Sequence, residues 1–306
     1  MSEPAVDGPV PAALDGERVD RAVALLAGIP RTEAAAMVDA GRVRVGGRVP
    51  ASRSRRLRQG ERLWVDAPDP PRRAMAADHA VSVPVVWADA ELIVVDKPAG
   101  MVVHPGAGHE RGTLVQGLVA SFPDVGRLAT GDAAGRPGIV HRLDRGTSGL
   151  LVVARTERAR AGLVAQMAAR TVERAYSALV AGTVEADAGV IDAPLGRGEA
   201  DPTRVEVRAG GRPARTRYRV VERYHGPAPA TLLECRLETG RTHQIRVHLA
   251  AIGHPVAGDT RYGGPPLLER PFLHAGVLGF DHPGSGQRLR FESPLPADLR
   301  GPLERL

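Results

Sequence analysis

Residues 138–155, Gly-Ile-Val-His-Arg-Leu-Asp-Arg-Gly-Thr-Ser-Gly-Leu-Leu-Val-Val-Ala-Arg, constrain this chain more than any other stretch. Arg142 to Gly149 holds two glycines and three charges, the pattern of a loop. Leu150 to Val153 is a short continuous apolar run, which reads as a strand buried on both faces. Ile139 and Val140 read as the end of a preceding buried strand. A charged turn between two buried strands belongs at the floor or wall of a cleft, where reactive groups are held. Asp144 is its only acid, and flanking Arg142 and Arg145 favour the carboxylate form. The residues alone leave two uses open for it. It either caps the turn by accepting bonds from the amides of Gly146 or Thr147, or it is a reactive group.

The rest of the chain narrows the class. Its 306 residues suffice for two domains. Aromatic residues make up only 3%, so the core must be built from Val, Leu, Ile and Ala. No apolar run approaches the ~20 residues a membrane span needs, and the N-terminus lacks the basic and apolar regions of a secretory signal. The single Cys235 excludes an internal disulfide and fits a reducing compartment, so a cytoplasmic location is expected. A net charge of +6 points to a polyanionic partner. Lys97 is the only lysine and asparagine is absent, so basic positions default to arginine. The placement of charge is therefore better evidence than the identity of the base.

Residues 1–16 are rich in Pro, Ala and Gly and read as a flexible leader. From 17 to 66 comes a compact unit. Val19, Ala22, Val23 and Leu26 recur at helical spacing. A second helix starts at Pro30-Arg31-Thr32-Glu33, with Thr32 as a cap, and Gly41 ends it. Gly46-Gly47 makes a tight hairpin. Between residues 42 and 62 stand eight arginines (Arg42, Arg44, Arg48, Arg53, Arg55, Arg56, Arg58, Arg62) and one acid, Glu61. That local excess exceeds the net charge of the whole chain. Such a run is ordinarily a solvated face; its density and its setting favour nucleic-acid contact. Residues 67–80 form a stiff Pro-rich linker, and the remainder, 81–306, is a second domain.

The central stretch His141-Arg142-Leu143-Asp144 with Thr147-Ser148-Gly149-Leu150 resembles the signature of the large-subunit ribosomal RNA pseudouridine synthases. Three more segments agree in order and spacing. They are Leu92–Val95 followed by Asp96-Lys97-Pro98-Ala99-Gly100, Arg174-Ala175-Tyr176-Ser177-Ala178-Leu179-Val180-Ala181-Gly182, and Thr239-Gly240-Arg241-Thr242-His243-Gln244-Ile245-Arg246-Val247-His248. His254 to Gly263 continues the pattern. Residues 17–66 resemble the small αL-type RNA-binding module.

The resemblance implies an α+β fold: a mixed, mostly antiparallel sheet with flanking helices, preceded by the αL-type module. It implies isomerisation of uridine to pseudouridine in large-subunit ribosomal RNA or a pre-ribosomal particle, by a monomer without cofactor. Asp144 becomes the catalytic carboxylate, Tyr176 the residue packed on the target base, and Arg241 the partner that pairs with Asp144. Arg142, Arg246 and Thr147 fall to substrate binding. Arg42, Arg44, Arg48, Arg53, Arg55, Arg56 and Arg58 fall to RNA binding.

Other chemistries fit poorly. His243 and His248 are five apart, off a common helical face, and there is no His-Glu-x-x-His motif and no cysteine pair for zinc. Gly106-Ala107-Gly108 lacks the third glycine of a dinucleotide loop, and no Gly-Lys-Ser/Thr loop is present. Gly146-Thr147-Ser148-Gly149 is not a hydrolase elbow. A non-catalytic ribosome-assembly factor would explain the basic run but leaves four segments without a use. Transfer RNA is the alternative substrate.

Overall fold

The computed structural model describes residues 4–66, 75–106, 109–128 and 136–306. Two compact units emerge, one of Met1–Ala76 with Ala129–Pro137, the other of Ala77–Leu128 with Gly138–Leu306. Much of the expected linker, residues 67–74, lies outside the described residues, and so do Met1 to Glu3 and the Ala107-Gly108 pair.

The first unit contains β1 (Val6–Pro9), α1 (Val19–Ala27), α2 (Arg31–Asp39), β2 (Val43–Val45) and β3 (Arg62–Val65). Its sheet runs β1-β3-β2, antiparallel throughout. The amphipathic spacing of α1 buries Val19, Ala22 and Val23 against Val38, Val43, Leu63 and Val65. Gly46 and Gly47 both take positive φ, 58° and 80°, and Val45 and Arg48 exchange backbone bonds across them. That is the two-residue turn whose twist suits a hairpin.

Two expectations are corrected here. The segment read as a flexible leader supplies β1, and Val10 and Leu14 join the core. Its composition hid this because an edge strand tolerates Gly8 and Pro9, and its pairing partner β3 lies over fifty residues away. Helix α2 is preceded by Pro30, and Thr32 makes no cap bond.

The second unit contains β4 (Val85–Ala88), β5 (Leu92–Lys97), α3 (Leu114–Ser121), β6 (Ser148–Ala154), α4 (Glu157–Ala169), β7 (Glu173–Ala181), β8 (Ala188–Asp192), β9 (Leu195–Arg197), β10 (Val205–Val207), β11 (Arg215–Tyr224), β12 (Ala230–Leu237), α5 (Gln244–Ala251), β13 (Leu273–Asp281), β14 (Arg288–Glu292) and α6 (Ala297–Leu303). One large sheet runs β4-β5-β6-β13-β7-β12-β11-β8, with β14 added to the far half of β13. Among the described strands, β6 and β13 form the one parallel pair, through Ser148–His274 and Gly149–Ala275. The mixed, mostly antiparallel sheet expected from the resemblance is present.

All seven residues of β6 are buried, as its apolar run requires. On one face Leu92, Val94, Leu150 and Val152 meet Ala159 and Leu163 of α4. Each fully buried leucine there contributes roughly 1.5–3 kcal/mol relative to exposure. Gly149 crosses β13 so closely that a Cβ would stand 2.3 Å from the Ala275 carbonyl oxygen, and its φ is +113°. Only glycine fits there. The expected strand at Ile139-Val140 is reduced to a single bridge between Ile139 and Val153. No helix among the described residues is long and apolar enough to cross a membrane.

Candidate active site

The loop that carries Asp144 is fastened at both ends. At its start, the Val152 amide donates to His141 Nε2 at 3.1 Å. Burial, reinforced by Arg174, pulls the His141 imidazole down to about 3, which keeps that nitrogen an acceptor. At its end, the Thr147 amide donates to the Asp144 main-chain carbonyl at 3.0 Å and closes the turn. The Asp144 carboxylate takes no bond from the Gly146 or Thr147 amides, so the capping use is overturned. The backbone closes the turn and leaves the side chain free to face the cavity.

Beneath the loop sits Lys97, fully buried at the end of β5. Its Nζ donates to the carbonyls of Pro98 at 2.9 Å, Met101 at 3.0 Å and Arg145 at 3.4 Å. Burial pulls this ammonium down to about 7, with Asp144 pushing it back up and Arg270 adding to the fall. The Gly100 amide donates to the Arg145 carbonyl at 2.7 Å. Arg270, held by Asp298 at 2.6 Å, donates to the Gly146 carbonyl at 3.1 Å. The Lys-Pro-Ala-Gly segment is thus a brace for the loop.

The opposite wall is the turn from β12 into α5. Gln244 organises it. Its Oε1 accepts from the Thr239 hydroxyl at 2.8 Å and the Arg241 amide at 3.0 Å, and its Nε2 donates to the Arg215 carbonyl at 3.0 Å. His243 takes left-handed backbone, φ 55°, strained for a residue with a side chain. Its Nδ1 shares a 2.8 Å hydrogen bond with the Tyr262 hydroxyl, and its Nε2 lies 4.0 Å from Asp144 Oδ1. Burial lowers its pKa, with Asp144 opposing.

Arg246 is the arginine that meets Asp144. Its Nη1 donates to Asp144 Oδ2 at 3.2 Å. The rest of its fork is bidentate to Asp259, Nε to Oδ2 at 2.6 Å and Nη2 to Oδ1 at 2.8 Å. Its guanidinium also lies 5.0 Å from the Tyr262 ring centre. This corrects the expectation for Arg241, whose Nε instead donates to the Pro213 carbonyl at 3.1 Å. The physical reason is the left-handed step at His243. It separates Arg241, on the turn, from Arg246, on the helix, and of the two Arg246 bonds the Asp144 carboxylate.

The structure gathers six expected residues around one cavity of about 50 Å³: Arg142, Asp144, Thr147, Tyr176, Arg241 and Arg246. That volume has room for a few water molecules. Tyr176 is buried on β7, and burial raises its phenol pKa, with Arg174 opposing and Asp144 assisting, so the hydroxyl keeps its proton. Arg142 is exposed at the rim. Sequence reasoning assigned no role to Lys97, His243, Asp259 or Tyr262. The signals were present in Lys-Pro-Ala-Gly and in Gly258-Asp259-Thr260-Arg261-Tyr262, but nothing in the sequence shows which groups those residues reach.

In the first unit, Arg44, Arg48, Arg53, Arg56, Arg58 and Arg62 are exposed, and Arg42 and Arg55 half-buried. Arg55 pairs with Glu61 at 2.9 Å and Arg62 with Asp7 at 2.8 Å. Arg56 donates to the Gly16 carbonyl at 2.7 Å, and Arg44 stacks over Trp64. The guanidinium groups of Arg42, Arg48 and Arg58 meet no acceptor among the described residues.

A family model described as RNA pseudouridylate synthase matches residues 91–251, from the start of β5 through the helix that carries Arg246. The chain belongs to that family. This pseudouridine synthase is 43% identical over 278 residues to an uncharacterised RNA pseudouridine synthase of Bacillus subtilis, across 90% of this chain and 89% of the relative. It is 40% identical over 306 residues to a protein named ribosomal large subunit pseudouridine synthase D from Pseudomonas aeruginosa, across 95% and 92%. Among solved structures, human RNA pseudouridylate synthase domain containing 1 superimposes with a TM-score of 0.57 at 26% identity, across 72% of this chain and 87% of that one. The enzyme is an isomerase that acts on RNA.

Proposed function

We propose that this enzyme converts specific uridines of large-subunit ribosomal RNA, free or in a pre-ribosomal particle, to pseudouridine, with Asp144 as the catalytic carboxylate. The observation that carries the reading is the Asp144 side chain. It stands free of its own turn, is held on one oxygen by Arg246 at 3.2 Å, and faces a cavity lined by Tyr176. The name borne by the Pseudomonas aeruginosa relative supports the substrate class.

In the reaction the bond from ribose to N1 breaks, the uracil turns, and a bond forms to C5, which gives up its proton. No atom is gained or lost overall, because N1 takes up a proton as C5 gives one up. The base must leave its stack to reach the cavity. Arg246 orients the Asp144 carboxylate by a charge-assisted bond, and Asp259 holds Arg246 in turn. Tyr176 stacks on the uracil and presents its hydroxyl. Thr147 lines the pocket, and Arg142 at the rim contacts the displaced nucleotide. The first unit acts as an αL-type RNA-binding module, with its unpaired arginines on phosphates. The enzyme works as a monomer in the cytoplasm.

The test is tritium release from C5-labelled uridine in large-subunit ribosomal RNA, run beside a binding titration. Wild type releases tritium, whereas Asp144→Asn, nearly isosteric but unable to attack or take a proton, binds and does not release. Equal release by both removes Asp144 from the chemistry. Release from transfer RNA alone moves the substrate class.

A further inference from the structure

The turn from β12 to α5 carries positive charge that the protein does not neutralise. Arg174 lies beneath it, 8% exposed, and meets no carboxylate among the described residues. Its Nη2 donates to the Leu237 carbonyl at 3.3 Å, and its buried Nε has no partner. Burying a guanidinium without a counter-charge is unfavourable, so such a group persists where an anion arrives later. Gly240 stands directly over it, and a Cβ there would come within 3.0 Å of Arg174 Nη1.

The neighbours add to the excess. Arg241 is bonded to the Pro213 carbonyl, which sets it beside Arg212, and neither guanidinium has a carboxylate partner among the described residues. Burial and the charges of Arg212 and Arg170 pull the Arg241 pKa down, the mark of a cation among cations. Glu238 is shared by three arginines, Arg217 at 2.6 Å, Arg170 at 3.4 Å and Arg215 at 3.6 Å. It cannot neutralise them and Arg241 as well.

We propose that Arg241, Arg212 and the buried Arg174 form a subsite for the phosphodiester backbone next to the target nucleotide. The inference rests on the proposed RNA substrate and deepens it. Arg241 lines the same cavity as Asp144, so a phosphate held there sits beside a base placed in that cavity. Planar guanidinium forks suit phosphate oxygens, and the glycine at 240 lets the backbone approach without a side chain between. Arg241 is therefore a binding residue and not the partner of Asp144.

The experiment compares wild type, the double variant Arg241→Gln/Arg212→Gln, and the control Arg300→Gln. Arg300 is exposed, pairs with Glu304 at 3.9 Å and does not line the cavity. Filter binding to a large-subunit ribosomal RNA transcript is measured across salt concentration. Each lost phosphate contact lowers the slope of log affinity against log salt by about 0.7–0.9. The double variant is expected to lose about 1.4–1.8 in slope, and the control to match wild type. A second measurement needs no RNA. Millimolar inorganic phosphate should raise the melting temperature of wild type and of the control, but not of the double variant. Equal slopes for all three proteins, or equal stabilisation by phosphate, overturns the subsite. Both readouts are independent of turnover, so a wild type that binds but isomerises no uridine defeats the proposed reaction and leaves the subsite standing.

Discussion

Arg246 bridges two carboxylates, Asp144 in the cavity at 3.2 Å and Asp259 in the interior at 2.6 Å. The second contact fixes the first. Asp259 is 2% exposed and bidentate through Nε and Nη2, so it sets the plane of the guanidinium and leaves Nη1 for Asp144. Truncation by Asp259→Ala removes one member of a buried pair and should cost about 3–5 kcal/mol of stability, read by denaturant unfolding. Turnover should fall with it, because the Arg246 fork loses its orientation. Asp259→Asn keeps the shape and one acceptor and should fall between. An Ala variant as stable and active as wild type would separate Asp259 from the site.

The Tyr176 hydroxyl keeps its proton because burial raises its pKa. It makes no hydrogen bond to a protein group among the described residues, so it is available to substrate. Tyr176→Phe keeps the stacking ring and removes only that hydroxyl. Turnover in the tritium-release assay should drop about 10²–10⁴-fold, the range of acid–base groups. Full turnover by the Phe variant would leave stacking as the residue's one contribution.

Lys97 gives the stability a pH dependence of definite sign. Its folded pKa, about 7, lies below its unfolded value of 10.5. Between those values the unfolded chain holds the proton more tightly, so raising the pH favours the folded state. Below pH 7 both states are protonated and the burden of a buried charge is constant. Lys97→Met lacks this titration. The stability of wild type relative to Lys97→Met should therefore rise from pH 7 to pH 10.5, by at most about 1.4 kcal/mol per pH unit. Melting curves for both proteins across that range decide it, and a flat difference would mean that Lys97 titrates normally.

Sequence patterning located the loop of Asp144 because the signal is local: a charged turn followed by a fully apolar run. The helix that begins at Val19 and the hairpin at Gly46-Gly47 were legible for the same reason. What failed was non-local. Strand β1 depends on a partner 53 residues or more away, and Gly8 and Pro9 disguised it. Arg241 and Arg246 are both plausible partners for Asp144 until the left-handed residue between them is known. Lys97 has no role legible in the sequence, since no pattern announces that three carbonyls will surround its ammonium.

The arginines of residues 42–62 differ in their surroundings, and that difference makes the final expectation specific. Arg55 is engaged with Glu61 at 2.9 Å, and Arg62 with Asp7 at 2.8 Å. An arginine that already holds a carboxylate gains less from a phosphate, because it must give up that partner. Arg48 and Arg58 are exposed and hold nothing among the described residues. If this surface binds RNA, Arg48→Ala/Arg58→Ala should lower the salt slope by about 1.4–1.8, and Arg55→Ala alone by clearly less than one contact's share. The double change should leave the melting temperature nearly unmoved, since exposed charges contribute little to folding. The measurement is the same filter-binding titration, with the ribosomal RNA transcript as probe. A double variant that keeps the wild-type slope and affinity would reduce the run to a solvated face, and would leave the second unit to supply the phosphate contacts by itself.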